Sequence, residues 1–219
     1  DTASGYTDSQ KKIGKAIQGR RDGLVLASKS GDRTAKGILR DVERSLRELN
    51  AGCVDLYQLH GVSSPDALAA VSASGGAIEG LLTARERGLI RHVGASSHNL
   101  DVAMKLLENP VFETLQFPFN LVTAEPAAEL IPKCRRLNVG FIVMKPLCGG
   151  QYENAELAFR FLNGFPDLVA IPGVERPEEI EQIVQVVESG RRLEGAEKAR
   201  AEKIAGELGK LFCRRCGYC

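Results

Sequence analysis

Six short apolar runs alternate with longer amphipathic stretches, and this alternation restricts the fold more than any other feature of the chain. The runs are L-V-L-A-S-K (24–29), V-D-L-Y-Q-L-H (54–60), I-R-H-V-G-A-S-S (90–97), E-T-L-Q-F-P-F-N (113–120), G-F-I-V-M-K-P-L (140–147) and L-V-A-I-P-G-V (168–174). Helical periodicity falls between them, over 8–19, 35–50, 66–87, 100–108, 124–137, 154–163, 177–189 and 196–211. In the second of these, Ile38, Leu39, Val42, Leu46 and Leu49 recur at helical spacing and predict one buried stripe. Strand–helix units of about 25–35 residues predict a parallel sheet, because parallel strands need a long crossover.

Two parallel architectures compete. A doubly wound sheet normally shows a glycine-rich phosphate loop after an early strand, and neither G-x-G-x-x-G nor G-x-x-x-x-G-K-[ST] occurs here. A (β/α)8 TIM barrel instead gathers its chemistry at the C-terminal ends of many strands. Lys29, His60, Ser96, Ser97, Gln116 and Asn120 stand at such ends. The expectation is therefore an α/β chain with a (β/α)8 barrel that is incomplete. The helix at 8–19 needs a strand before it, and Asp1 would be that strand's last residue. The first strand, the first helix and most of the second strand are expected to be missing, which leaves the outer strands as unpaired edges. Residues 1–194 are assigned to the partial barrel, 195–212 to a C-terminal helix and 213–219 to the start of a cysteine-rich segment.

Composition excludes several classes. With 43% hydrophobic and 26% charged residues the chain reads as an ordinary globular sequence. A net charge of +1 gives no electrostatic case for nucleic acid or an anionic membrane surface. No apolar run approaches the roughly 20 residues of a membrane-spanning helix. Cys53, Cys134 and Cys148 are isolated, whereas Cys213, Cys216 and Cys219 are clustered. That is a poor disulfide framework and points to a reducing, cytoplasmic compartment.

Asp1, Tyr6, Lys29 and His60 form a set that can move a proton. A tyrosine of pKa about 10 is a weak acid near neutrality, and a neighbouring ammonium lowers that value. A carboxylate beside the lysine keeps it charged and oriented, and an imidazole can hydrogen-bond a substrate oxygen. Each residue alone is usually structural, a cap or a solvated charge; the four together at strand ends are not. D-T-A-S-G-Y, A-S-K and D-L-Y-Q-L-H resemble the aldo-keto reductases over nearly the whole chain. The resemblance implies reduction of an aldehyde or ketone by NAD(P)H, with these four as catalytic residues and Tyr6 as general acid. It continues in V-G-A-S-S-H-N and L-Q-F-P-F-N, where Ser96, Ser97 and Gln116 match the residues that hold the nicotinamide carboxamide. The family commonly has Ser-Asn at the first pair, so Ser97 departs from it. In V-M-K-P-L, Met144 stands where many members stack an aromatic ring on the nicotinamide, and Lys145, Pro146 and Leu147 continue that cofactor segment.

The resemblance favours NADP(H), with NAD(H) possible. Many members place a basic residue just after the last strand for the 2′-phosphate; Gly173 stands there, with Glu175, Glu178 and Glu179 nearby and Arg176 and Arg191 as the neighbouring cations. The end of the chain, F-C-R-R-C-G-Y-C, is C-x2-C-x2-C. Three thiolates at that spacing can wrap one face of an iron–sulfur cubane. The run is similar to bacterial aldo-keto reductases with a ferredoxin-like extension, which implies Cys213, Cys216 and Cys219 as ligands of a [4Fe-4S] cluster in the intact parent, and an electron-transfer partner. Three other readings stay open: a nicotinamide-binding sensor or interaction subunit, an iron–sulfur electron-transfer protein, and an inactive fragment.

Overall fold

Each of the six apolar runs forms a strand shorter than the run itself. The structure, a computed structural model, describes residues 1–150 and 154–208. The strands are β1 (Ala27–Ser30), β2 (Val54–Leu59), β3 (Ile90–Ser96), β4 (Thr114–Pro118), β5 (Gly140–Met144) and β6 (Leu168–Ile171). Their hydrogen-bonding order is β1-β2-β3-β4-β5-β6, and the registered pairs β1–β2, β2–β3, β3–β4 and β5–β6 are parallel. Consecutive parallel strands joined by helices are the arrangement expected of a (β/α) barrel.

The helices are α1 (Ser9–Ala16), α2 (Ala35–Leu49), α3 (Pro65–Ser72), α4 (Ala77–Glu86), α5 (Leu100–Leu106), α6 (Leu130–Arg136), α7 (Ala155–Leu162), α8 (Pro177–Glu188) and α9 (Gly195–Leu208). Two expectations change. The single helix expected over 66–87 is two helices, because Gly75 takes a left-handed φ of +71° and breaks the run. The stretch 124–137 divides into a 3-10 turn (Glu125–Ala127) and α6. Among the described residues no helix is long and apolar enough to cross a membrane.

The chain divides into two compact units. The first comprises residues 1–116 and 136–139, the second 117–135 and the described residues from 140 onward. In the first unit, β2 is buried at every position. α2 begins at Thr34, whose side chain accepts a hydrogen bond from the Gly37 N–H, and ends at Asn50 with φ 50°. Its buried face includes Ile38, Val42 and Leu49 as predicted, but also Asp41 and Ser45. These polar residues are tolerated because they are bonded: Ser30 Oγ donates to Asp41 Oδ2 at 2.5 Å, and Ser45 Oγ lies 3.1 Å from Tyr57 OH. Burial pushes the Tyr57 phenol up, so it stays protonated. β2, β3 and β4 approach closely at Gly94, where a Cβ would lie 2.1 Å from Thr114 Oγ1 and 3.1 Å from Gln58 Cγ.

The second unit is built around aromatic side chains. Phe119 packs edge-on to Phe165 at a centroid distance of 4.8 Å and against Phe161 at 5.3 Å. Arg160, almost fully buried, is ion-paired to Glu156 at 3.0 Å and to Glu197 of α9.

Candidate active site

The segment Asp1–Ser4 runs alongside β1. Thr2 N donates to Ala27 O at 3.0 Å and Ser4 N to Lys29 O at 2.8 Å, the two-residue step of a parallel ladder. The chain then turns at Ala3–Tyr6, with Tyr6 N donating to Ala3 O at 3.0 Å. Arg44 of α2 clamps this turn by donating to Ser4 O at 2.8 Å. The pairing sets Asp1 beside Lys29, and the turn sets Tyr6 above it.

All four strand-end residues singled out in the sequence come together in the first unit. Lys29 Nζ lies 2.6 Å from Asp1 Oδ2 and 2.8 Å from Thr2 O, and 5.3 Å from the centre of the Tyr6 ring. Tyr6 OH lies 3.4 Å from His60 Nε2, and the two rings meet edge to face at 5.5 Å. Lys29 is wholly buried whereas Tyr6 is 43% exposed, so the charge is enclosed and the hydroxyl is reachable from solvent. Burial pushes the Lys29 ammonium down to about 7. The Asp1 carboxylate opposes that fall by favouring the charged form. Burial, followed by the Lys29 and Arg33 cations, pushes the His60 imidazole down to about 4, so the ring is neutral at ordinary pH.

Ser96, Ser97 and Gln116 sit beside this group in the same unit. Ser96 and Gln116 are register partners across β3 and β4, and Ser97 N donates to Gln116 O at 3.1 Å. The three residues differ in what their side chains already do. Ser96 Oγ accepts from Gly61 N at 2.9 Å. Ser97 Oγ is bonded to the backbone of Asn99, 3.1 Å from its O and 3.2 Å from its N, and closes the turn that leads into α5. Gln116 Oε1 accepts from Gln58 Nε2 at 2.9 Å. Gln58 Oε1 is buried with no partner among the described residues. Paired amides and a hydroxyl converging here fit a carboxamide, which needs donors and an acceptor at one place, so these residues could hold a nicotinamide.

The remaining predicted cofactor residues lie in the second unit. Met144 closes β5 and is buried. Lys145 has φ 57°, with Cys148 at 53° and Gly149 at 70°, so the chain turns sharply through Pro146 and Leu147. Asn120 Nδ2 donates to Lys145 O at 2.9 Å and steadies the turn. Gly173 is exposed with open space around it. Arg176, beyond it, is paired to Glu179 at 3.1 Å. Cys213, Cys216 and Cys219 lie outside the described residues. Among the described residues no group of three or more His, Cys, Asp or Glu side chains could hold a metal ion.

Sequence reading passed over Gln58 and Arg33. Gln58 is a lone amide in an otherwise apolar stretch of V-D-L-Y-Q-L, which is itself a signal in a buried strand. Arg33 donates to the carbonyls of His60 and Gly61, at 3.0 Å each. Its position four residues past Lys29, in the loop that follows β1, is the only local hint.

Comparison with known proteins bears on the family and on the fold. The family described as "Aldo/keto reductase family" matches residues 1–161. Aldo-keto reductase YhdN of Bacillus subtilis is 28% identical over 160 residues, 68% of this chain and 46% of that protein. The chain spans about half the length of the curated relatives it matches. An aldo-keto reductase from Klebsiella pneumoniae, solved in complex with NADPH, superposes with a TM-score of 0.78 at 23% identity, over 94% of this chain and 78% of that one. Aldo-keto reductase AKR11C1 from Bacillus halodurans, in its holo form, gives 0.77 at 22% identity, over 93% and 81%. The solved structures establish the fold, and the family match over most of the sequence establishes the lineage: this chain belongs to the aldo/keto reductase family.

Proposed function

We propose that the protein is an oxidoreductase that reduces an aldehyde or ketone at the site formed by Asp1, Tyr6, Lys29 and His60. The observation that carries this reading is an exposed phenol set between a buried ammonium and a neutral imidazole. A bound dihydronicotinamide would supply hydride, which protein side chains do not provide. The chain's own residues supply the proton. Tyr6 gives its phenolic proton to the carbonyl oxygen, and the alcohol leaves. Lys29 stabilises the phenolate that remains, and Asp1 holds Lys29 in place. Neutral His60 shares a hydrogen bond with the phenol and orients the carbonyl oxygen. The phenol is reprotonated from solvent, which its exposure permits.

The resemblance assigns Ser96, Ser97 and Gln116 to the nicotinamide carboxamide, Met144 to the face of that ring, and Lys145, Pro146, Leu147 and Gly173 to the rest of the cofactor. NADP(H) is the assigned form, supported by the NADPH-bound relative. The Arg176–Glu179 pair is exposed, and such pairs are weak enough for a phosphate to compete for the guanidinium. The free thiols of Cys53 and Cys134 support a reducing, cytoplasmic setting. The test is NAD(P)H oxidation by the full-length protein over a panel of aldehydes and ketones, with Tyr6→Phe as control. Full activity in that variant would remove the proton-donor assignment.

The C-x2-C-x2-C run supports a [4Fe-4S] site on Cys213, Cys216 and Cys219 in the full-length protein. Iron and acid-labile sulfide analysis of anaerobically purified protein tests it. Absence of both would reject the cluster and leave the reductase reading intact.

A further inference from the structure

We propose that Arg33 is a positioning residue for His60, holding the main chain on which the imidazole is mounted and placing a fixed positive charge beside the ring. The inference rests on the proton-transfer reading of the site and deepens it. Arg33 lies in the loop S-G-D-R-T that follows β1. Its Nη1 donates to His60 O and its Nη2 to Gly61 O, each at 3.0 Å. A guanidinium holds two successive carbonyls in one plane, which a lysine ammonium cannot do. The other side of the turn is fixed independently: Gly61 N donates to Ser96 Oγ at 2.9 Å and Val62 N to Ser96 O at 2.8 Å. His60 N is itself bonded to Ser30 O at 2.8 Å. The turn carrying His60 is thus clamped between the loop after β1 and the end of β3.

The neighbouring acid is otherwise engaged. Asp32 accepts from Thr34 N and Thr34 Oγ1 at 2.9 and 2.8 Å, and is paired to Arg40 at 3.0 Å. The charged and titratable groups facing the imidazole include the Tyr6 phenol from the first turn, Lys29 of β1 with its Asp1 partner, and Arg33. Both cations disfavour imidazolium, in keeping with the downward displacement of the ring's pKa. Arg33 therefore acts on geometry through its fork and on protonation through its charge.

Arg33→Ala and Arg33→Lys in the full-length protein separate the two effects. Imidazole titration by NMR on histidine-labelled protein without cofactor reads the charge, with His60→Gln identifying the signal. The pKa of His60 is expected to rise by about one pH unit in Arg33→Ala and to stay low in Arg33→Lys. Steady-state reduction reads the geometry. kcat is expected to fall by about tenfold in both variants, with cofactor affinity unchanged by fluorescence titration. An unchanged His60 titration in a folded Arg33→Ala protein would overturn the electrostatic role, and wild-type kcat in Arg33→Lys would overturn the positioning role. If Arg33→Ala fails to fold, Arg33→Lys together with Arg33→Gln gives the same two readings. The NMR measurement needs no turnover, and Tyr6→Phe is assayed alongside. Full activity in Tyr6→Phe would sink the proton-donor reading without touching the His60 titration.

Discussion

The ends of β1 and β2 present titratable side chains held in place largely by other side chains, whereas the end of β5 is shaped by its backbone. Lys29 is anchored by Asp1 and by a carbonyl, and Arg33 fixes the turn that carries His60. After β5, two non-glycine residues, Lys145 and Cys148, take left-handed φ angles, with Gly149 and Gly150 following at 70° and 82°. A change in the first region alters which atom carries a proton. A change in the second alters where the chain goes. The two regions should therefore respond to substitution in different observables.

The largest expected effect is on chemistry in the first region. Tyr6→Phe in the full-length protein should lower kcat by about 10²–10⁴-fold, the range for a lost general acid, while leaving cofactor binding in place. Equal loss of cofactor affinity would erase the distinction between the regions. Next comes the ion pair. Asp1→Asn leaves Lys29 buried without its carboxylate and should cost about 3 kcal/mol by urea denaturation. The same substitution should move the alkaline limb of the reduction rate to lower pH. In the wild-type protein that limb is expected near pH 7, because Lys29 loses its proton there and the phenolate loses its support. A rate that is flat from pH 6 to pH 9 would contradict the role of Lys29.

A smaller effect tests the second region. Gly149→Ala places a side chain at φ 70° and should destabilise the fold by about 1 kcal/mol, with an unchanged pH profile. A shifted profile would show that the β5 loop tunes proton transfer after all. The last effect is read in stability alone and belongs to His60. Its folded pKa of about 4 lies below the ordinary 6.5. Between those values the unfolded chain binds the proton first, so stability should fall as pH drops through this window. Thermal melts of His60→Gln should show a weaker dependence there.

Much of this comparison is legible in the sequence. Strand–helix alternation carries the fold, because the spacing of apolar residues sets both the element type and the face it buries. Asp1, Tyr6, Lys29 and His60 are legible because a barrel delivers successive strand ends to one place. Partners are harder to read. That Gln58 bonds to Gln116, and that Asp41 and Ser45 of α2 are buried more deeply than Leu39 and Leu46, depends on register and helix rotation. The engagement of Ser97 with the backbone of Asn99 is set by the turn into α5, not by its place in the motif. The break at Gly75 is not anticipated, because apolar periodicity continues on both sides of S-G-G and predicts one helix.

Gly94 has a consequence of another kind. It touches no predicted substrate and donates no proton, but any side chain there would strike Thr114 Oγ1 and crowd Gln58. In a library of random variants this position should be among the least forgiving in the chain, as silent in a chemical assay as any scaffold residue and as intolerant of change as Tyr6. Selection acting on the lineage would then preserve the absence of a methyl group as strictly as the presence of a hydroxyl.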